Sequence, residues 1–276
     1  MRPLRHLHGV TVFAGVLFAA GTAIAQPVRY RSVVFEKVEV KHDVEFRLAT
    51  NAKGVVEKLK LDVYQPAGDS ERVRPAVLWL HGGGFRPGSD KTQSYIVRMS
   101  TEFAKRGYVS VAPDYRVSAE PGDPMQKLKD AVEDCRAGLA WMKTHAAELG
   151  VDPHRIAVGG GSAGGFIAVS LVAVENAEAA KTKAAGLFAL VDLWGSPGTG
   201  RMMGSLDEHF PPTVIVHGTA DQSVPFSQSE ALAARLKTLG IMCTLLPLPG
   251  APHTPTSHMD TIIETTTAFV FEALKK

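Results

Sequence analysis

The residues best suited to covalent chemistry are a serine, an aspartate and a histidine, met in that order along a chain of 276 residues. The run Ile156-Ala157-Val158-Gly159-Gly160-Gly161-Ser162-Ala163-Gly164-Gly165 is apolar, breaks into glycine, presents one serine and breaks again. An ordinary strand-to-helix turn can carry glycines around a serine. The G-x-S-x-G form, however, holds the serine on a sharp turn between a buried strand and a helix, with Gly160 and Gly164 leaving room for neighbouring backbone. Ser162 then stands at a helix N-terminus, where partial positive charge favours a developing anion. A serine hydroxyl attacks a carbonyl only when a base takes its proton, and that base needs an orienting acid. Asp221 follows the apolar run Thr213-Val214-Ile215-Val216-His217, in the loop that leaves it. His253 closes the loop Pro247-Leu248-Pro249-Gly250-Ala251-Pro252-His253, just before the last helical pattern. Serine, acid, histidine is the chain order expected of such a turn.

Other candidates fit less well. Asp192 falls inside a strand pattern and Asp207 in an irregular segment, while His258 lies five residues beyond His253 and nearer the helix. His217 and His81 sit beside glycine at strand ends, where a histidine more often fixes a loop than carries protons. A tetrahedral intermediate also needs two or three N–H groups aimed at one oxygen. The run Gly82-Gly83-Gly84 lets backbone approach without intervening side chains, and Ala163, directly after the serine, adds its own N–H.

These residues require a scaffold that gathers strand ends. Residues 32–40 and 57–64 read as strands of an opening antiparallel region, with a turn at 51–54. Residues 76–80 form a continuous apolar run of the kind a doubly covered parallel strand shows. Strands are expected at 109–112, 187–194, 213–217 and 243–246, and helices at 94–105, 125–148, from Ser162 to about 176, at 227–239 and at 261–274. This alternation predicts an α/β fold with a mostly parallel sheet and helices on both faces, its chemistry at the carboxyl ends of the strands.

Residues 1–25 read as a secretory signal peptide: Arg2 and Arg5, an apolar stretch shorter than the ~20 residues of a membrane span, and Ala23-Ile24-Ala25 before Gln26. Residues 26–276 are expected to form a single domain, exported to the periplasm or beyond. Without Arg2 and Arg5 the chain carries 28 basic and 28 acidic residues, which points to neither a nucleic-acid nor a membrane partner. The two cysteines, Cys135 and Cys243, fall in separate apolar patterns and are expected to be free. No H-E-x-x-H or clustered cysteine pattern calls for a metal or cofactor.

Taken together, His81-Gly82-Gly83-Gly84-Phe85, Asp114-Tyr115-Arg116, the elbow around Ser162, His217-Gly218-Thr219-Ala220-Asp221 and the 250–253 segment resemble the α/β-hydrolase esterases of the hormone-sensitive-lipase-like group and their small bacterial relatives. The resemblance implies Ser162 as nucleophile, His253 as base, Asp221 as orienting acid and Gly83, Gly84 and Ala163 as oxyanion donors. It implies that Asp114 and Arg116 are structural and pin the loop beneath the site. It further implies a serine carboxylesterase acting through an acyl-enzyme on short-chain acyl or aryl esters, small-molecule or polysaccharide-linked, with an amidase of the arylformamidase kind and a catalytically silent binding protein as alternatives. Two departures stand out. Many relatives carry an acidic residue where this chain has Gly161, and between Trp194 and Thr213 there is too little chain for a large lid. The cleft is therefore expected to be open and walled by Phe85 and Trp194, with Met202, Met203 and Phe226 as further candidates. In this it is closer to compact feruloyl and acetyl esterase-like members than to lipases.

Overall fold

A computed structural model of the chain describes residues 28–276, apart from 52, 119–121, 185 and 197–200 and the side chains of 201 and 202. The expected signal peptide lies outside the described residues. Eight strands form one sheet in the order β1-β2-β4-β3-β5-β6-β7-β8. The strands are β1 (Val38–Thr50), β2 (Val56–Pro66), β3 (Arg74–Leu80), β4 (Val109–Pro113), β5 (Val151–Gly161), β6 (Ala189–Leu193), β7 (Thr213–Gly218) and β8 (Cys243–Leu248). β1 and β2 pair antiparallel, as do β2 and β4; every other pairing is parallel.

The helices are α1 (Ser94–Ala104), α2 (Pro124–Thr144), α3 (Ala146–Leu149), α4 (Ala163–Thr182), α5 (Arg201–Gly204), α6 (Phe226–Thr238) and α7 (Met259–Ala273). Side chains alternate across a strand, so β3 serves two cores at once. Leu78 and Leu80 pack with residues of α2, α4 and α6, while Val77 and Trp79 pack with residues of α1 and α7. All seven residues of β3 are buried, and residues 76–80 accordingly read as an unbroken apolar run. The described part of the β6 to β7 connection holds only the four-residue α5 as regular structure. Cys135 and Cys243 are free thiols.

The expected strand at 32–40 is displaced: β1 begins at Val38 and runs to Thr50. The segment before it bonds to the end of α1 instead of to a strand, with Tyr30 N–H on Arg106 O (2.7 Å) and Val34 N–H on Lys105 O (3.0 Å). β1 is charged and largely exposed, so no apolar alternation marks it; its register comes from the hairpin with β2. α4 also outlasts its expected end near 176, because Ala, Glu and Lys continue to favour helix up to Thr182.

Candidate active site

β5 ends at Gly161, α4 begins at Ala163, and Ser162 between them takes φ 57° and ψ −122°. For a residue with a side chain that backbone costs about 1–3 kcal/mol. One or two buried core side chains offset as much, and the central strands supply many. The turn is closed by Ser162 N–H on Leu193 O (3.0 Å) and Phe166 N–H on Ser162 O (3.1 Å). Close approach explains both flanking glycines. A Cβ on Gly164 would lie 2.0 Å from Leu80 O, and one on Gly160 would lie 2.4 Å from Gly164 O.

The loops after β7 and β8 bring the acid and the base to this turn. Ser162 Oγ lies 2.8 Å from His253 Nε2, and His253 Nδ1 lies 2.6 Å from Asp221 Oδ2. With Nδ1–H donating to the carboxylate, Nε2 is left to accept the serine proton. The Asp221 side chain is wholly buried. Burial would raise its carboxyl, but the hydrogen bond from His253 and the amides of Val224 and Ser223 outweigh that and hold it below the usual carboxylate range. Those amides donate to Oδ1 at 3.0 and 2.8 Å. Asp221 is therefore a charged acceptor for His253 Nδ1–H, as an orienting acid would be.

Across the cleft the glycine turn leaves β3. Gly82 N–H donates to Gln93 Oε1 (3.0 Å), which engages that amide. Gly83 and Gly84 then take φ 108° and 62°. Among the described residues no hydrogen bond engages the amides of Gly83, Gly84 or Ala163. The turn is braced from below. Tyr115 Oη lies 2.9 Å from His81 O and 3.2 Å from Gly82 O, and Lys91 N–H donates to Asp114 Oδ1 (2.9 Å). Arg116 points the other way, to Asp134 on α2 (2.7 Å). A serine with its base in hydrogen-bond reach, beside free amides, is an arrangement for acyl transfer.

Solved structures of Thermogutta terrifontis esterase 2 share this architecture. The form phosphorylated by paraoxon matches with a TM-score of 0.67 and 30% identity, covering 89% of this chain and 97% of that one. The apo form matches at 31% identity and a TM-score of 0.63, covering 85% and 94%. The chain belongs to the α/β-hydrolase esterase group. Two family models agree with this: BD-FAE over residues 61–193 and the prolyl oligopeptidase family over residues 203–276. Esterase LipC of Mycobacterium tuberculosis is 25% identical over 232 residues, 70% of this chain and 56% of its own length. Carboxylesterase NlhH of the same organism is 42% identical over 93 residues, 34% of this chain and 27% of its own. The chain spans about half the length of the longer-matching curated relatives.

In this α/β-hydrolase Ser162 opens into a cavity of about 760 Å³, shared by the glycine turn, Tyr95, Trp194, His253 and an exposed Arg86. Among the described residues its lining holds no Leu, Ile, Val or Met. Of the two expected walls, Trp194 lines the cavity as a fully buried ring. Phe85 does not line it: its ring faces Tyr115, 6.2 Å between centroids, and packs on the α2 side of the core. Backbone explains the turn-away, since Phe85 takes φ 61° and its carbonyl accepts from Ser118 N–H (2.9 Å). Met203 packs on the core and Phe226 lies edge-on to His217. The side chain of Met202 lies outside the described residues.

The remaining candidates have other work. His258 Nδ1 pairs with Ser257 Oγ (3.1 Å), and Asp207 accepts from His209 N–H (3.0 Å). His81 stacks on Tyr115 with centroids 4.0 Å apart, and burial lowers its imidazole. Asp192 is wedged between α4 and the chain after β6: a Cβ on Gly165 or Gly195 would lie 2.6 or 2.4 Å from its Oδ1. Burial pushes that carboxyl up to about 7. Sequence reasoning missed Gln93, Lys91, Tyr95 and Ser229. Ser229 hydrogen-bonds His217 Nδ1 at 2.6 Å, and its only signal is a small polar residue on the inner stripe of α6.

Proposed function

We propose that the protein is a serine carboxylesterase that cleaves short-acyl carboxylic esters through an acyl-enzyme. The observation that carries this reading is the continuous hydrogen-bonded line from Ser162 through His253 to Asp221, at 2.8 and 2.6 Å, beside the unengaged amides of the glycine turn. His253 Nε2 takes the Ser162 proton as Oγ attacks the ester carbonyl. The amides of Gly83, Gly84 and Ala163 hold the oxyanion, each worth roughly 10²-fold in rate. Asp221, charged throughout, stabilises the imidazolium, which protonates the departing alcohol. Water then repeats the sequence on the acyl-enzyme.

Among the described residues the lining has no aliphatic side chains and so offers little to a long acyl chain, and the cleft is open enough for an ester borne on a larger carrier such as a polysaccharide. Thermogutta terrifontis esterase 2 has been seen with propionate and with butyrate bound, which fits the same preference. The match of residues 203–276 to the prolyl oligopeptidase family covers the acid and base only and does not speak to the leaving group. The leader read in residues 1–25 supports action outside the cytoplasm. The test is turnover on p-nitrophenyl esters from acetate to dodecanoate beside matched anilides. Short esters should be cleaved fastest and anilides hardly at all. A maximum at long chains, or anilides cleaved as fast as esters, would contradict the reading.

A further inference from the structure

Gly161, directly before the nucleophile, is a glycine for a reason its own backbone does not supply. It is absent from the left-handed residues, where glycine is favoured, whereas Gly83 and Gly84 are among them. What forbids a side chain there is Tyr95. A Cβ on Gly161 would lie 2.9 Å from both Cε2 and Oη of Tyr95 and 3.0 Å from Cζ, with no other atom as close. Tyr95 reaches this place from the first turn of α1 and is 5% exposed. Its hydroxyl donates to Gly161 O at 3.3 Å and lies as close to where a Cβ on Gly82 would be. The phenol thus occupies the space beneath the elbow that a side chain at 161 would need, at the seam where the nucleophile's strand and the oxyanion strand meet.

The ring also meets Trp194 edge to face, with centroids 5.3 Å apart and planes at 67°. Both residues border the cavity that holds Ser162 and His253. The leaving alcohol must lie within reach of His253 Nε2, which protonates it, so the acyl group extends away from that histidine. Among the described residues of the lining, Tyr95 and Trp194 carry the only large apolar side chains, nearly and wholly buried at its floor, the others being glycine, polar side chains and Arg86.

We propose that Tyr95 sets the acyl-length limit of the site, standing in the volume that Gly161 leaves vacant and closing the acyl end together with Trp194. The inference rests on the esterase reading. Removing the ring lengthens the acyl subsite, and adding a side chain at 161 collides with the ring.

The experiment compares wild type with Tyr95→Phe, Tyr95→Leu, Tyr95→Ala, Gly161→Ala and the double variant Tyr95→Ala/Gly161→Ala. The readout is the ratio of kcat/KM for p-nitrophenyl hexanoate to that for p-nitrophenyl acetate, with thermal melting to confirm folding. Tyr95→Phe should keep the wild-type ratio, while Tyr95→Leu and Tyr95→Ala should raise it about tenfold, the discrimination a methylene-scale change in a pocket supports. Gly161→Ala should lose most activity on both esters, and the double variant should regain it. Tyr95→Leu is the variant to rely on should Tyr95→Ala fail to fold, since it keeps an apolar side chain against α1. An unchanged ratio in a folded Tyr95→Leu, a change seen only when the alcohol is varied, or a double variant no better than Gly161→Ala would overturn the proposal. A wild type inactive on every ester would instead contradict the esterase reading.

Discussion

His217 and His253 converge on one carboxylate oxygen: Oδ2 of Asp221 lies 2.9 Å from Nε2 of the first and 2.6 Å from Nδ1 of the second. His217 is wholly buried, burial holds its imidazole below the usual range, and its Nδ1 lies 2.6 Å from Ser229 Oγ. The neutral ring therefore accepts from the Ser229 hydroxyl at Nδ1 and donates from Nε2 to Asp221. The acid is oriented by a second histidine as well as by two backbone amides.

His217→Leu, which has no donor to offer Asp221, should lower kcat by about ten- to a hundredfold, the size of a lost hydrogen bond to a buried charge. Ser229→Ala, which leaves His217 in place but removes the hydroxyl at its Nδ1, should lower kcat by less. Steady-state kinetics of the two variants measure both effects.

Asp192 gives a pH effect of its own. Its folded value of about 7 lies above the ordinary 3.8, so the native state takes up a proton that the unfolded chain has released. Its contribution is full below about pH 4, and is lost as pH rises toward 7. Asp192→Asn cannot ionise, so its melting temperature relative to wild type should be higher at pH 8 than at pH 5. Parallel melts at the two pH values decide this.

Two glycines of the site should respond in opposite ways to alanine. At Gly164 a Cβ would strike the carbonyls of Leu80 and His81 at 2.0 and 2.6 Å, so Gly164→Ala should yield little folded protein. At Gly84 nothing lies within 4 Å, and only φ 62° opposes the change, worth about 1–2 kcal/mol. Gly84→Ala should fold with a melting temperature lowered by a few degrees. Circular dichroism melts of both variants make the comparison.

Lys91 ties the hairpin of β1 and β2 to the glycine turn. Its ammonium lies 3.0 Å from Asp43, 3.3 Å from Asp114 and 3.7 Å from Asp62, and burial is outweighed by these carboxylates, which raise its pKa. Lys91→Met leaves Asp62 buried without its cation and should cost about 3–5 kcal/mol. Denaturant unfolding of the variant reads that loss.

The parallel sheet and the meeting of Ser162, Asp221 and His253 were legible because their signals are local. Apolar runs end in glycine, and Ser162, Asp221 and His253 each follow a strand end. β1 was misplaced because its identity lies in pairing with β2 and not in its own charged residues. Phe85 was misread for a related reason: its place in the motif suggests a wall, yet a left-handed backbone angle turns the ring toward Tyr115. Tyr95 and Ser229 were invisible, since each gains meaning only when a helix is folded against the strand end it supports.

The central claim is that Ser162 is a nucleophile activated by His253. Labelling with a fluorophosphonate, followed by peptide mapping, tests it most directly. Wild type should carry a single adduct on the peptide containing Ser162, His253→Ala should label far more slowly, and Ser162→Ala not at all. Full labelling of Ser162→Ala, or an adduct mapped to another residue, would contradict the account.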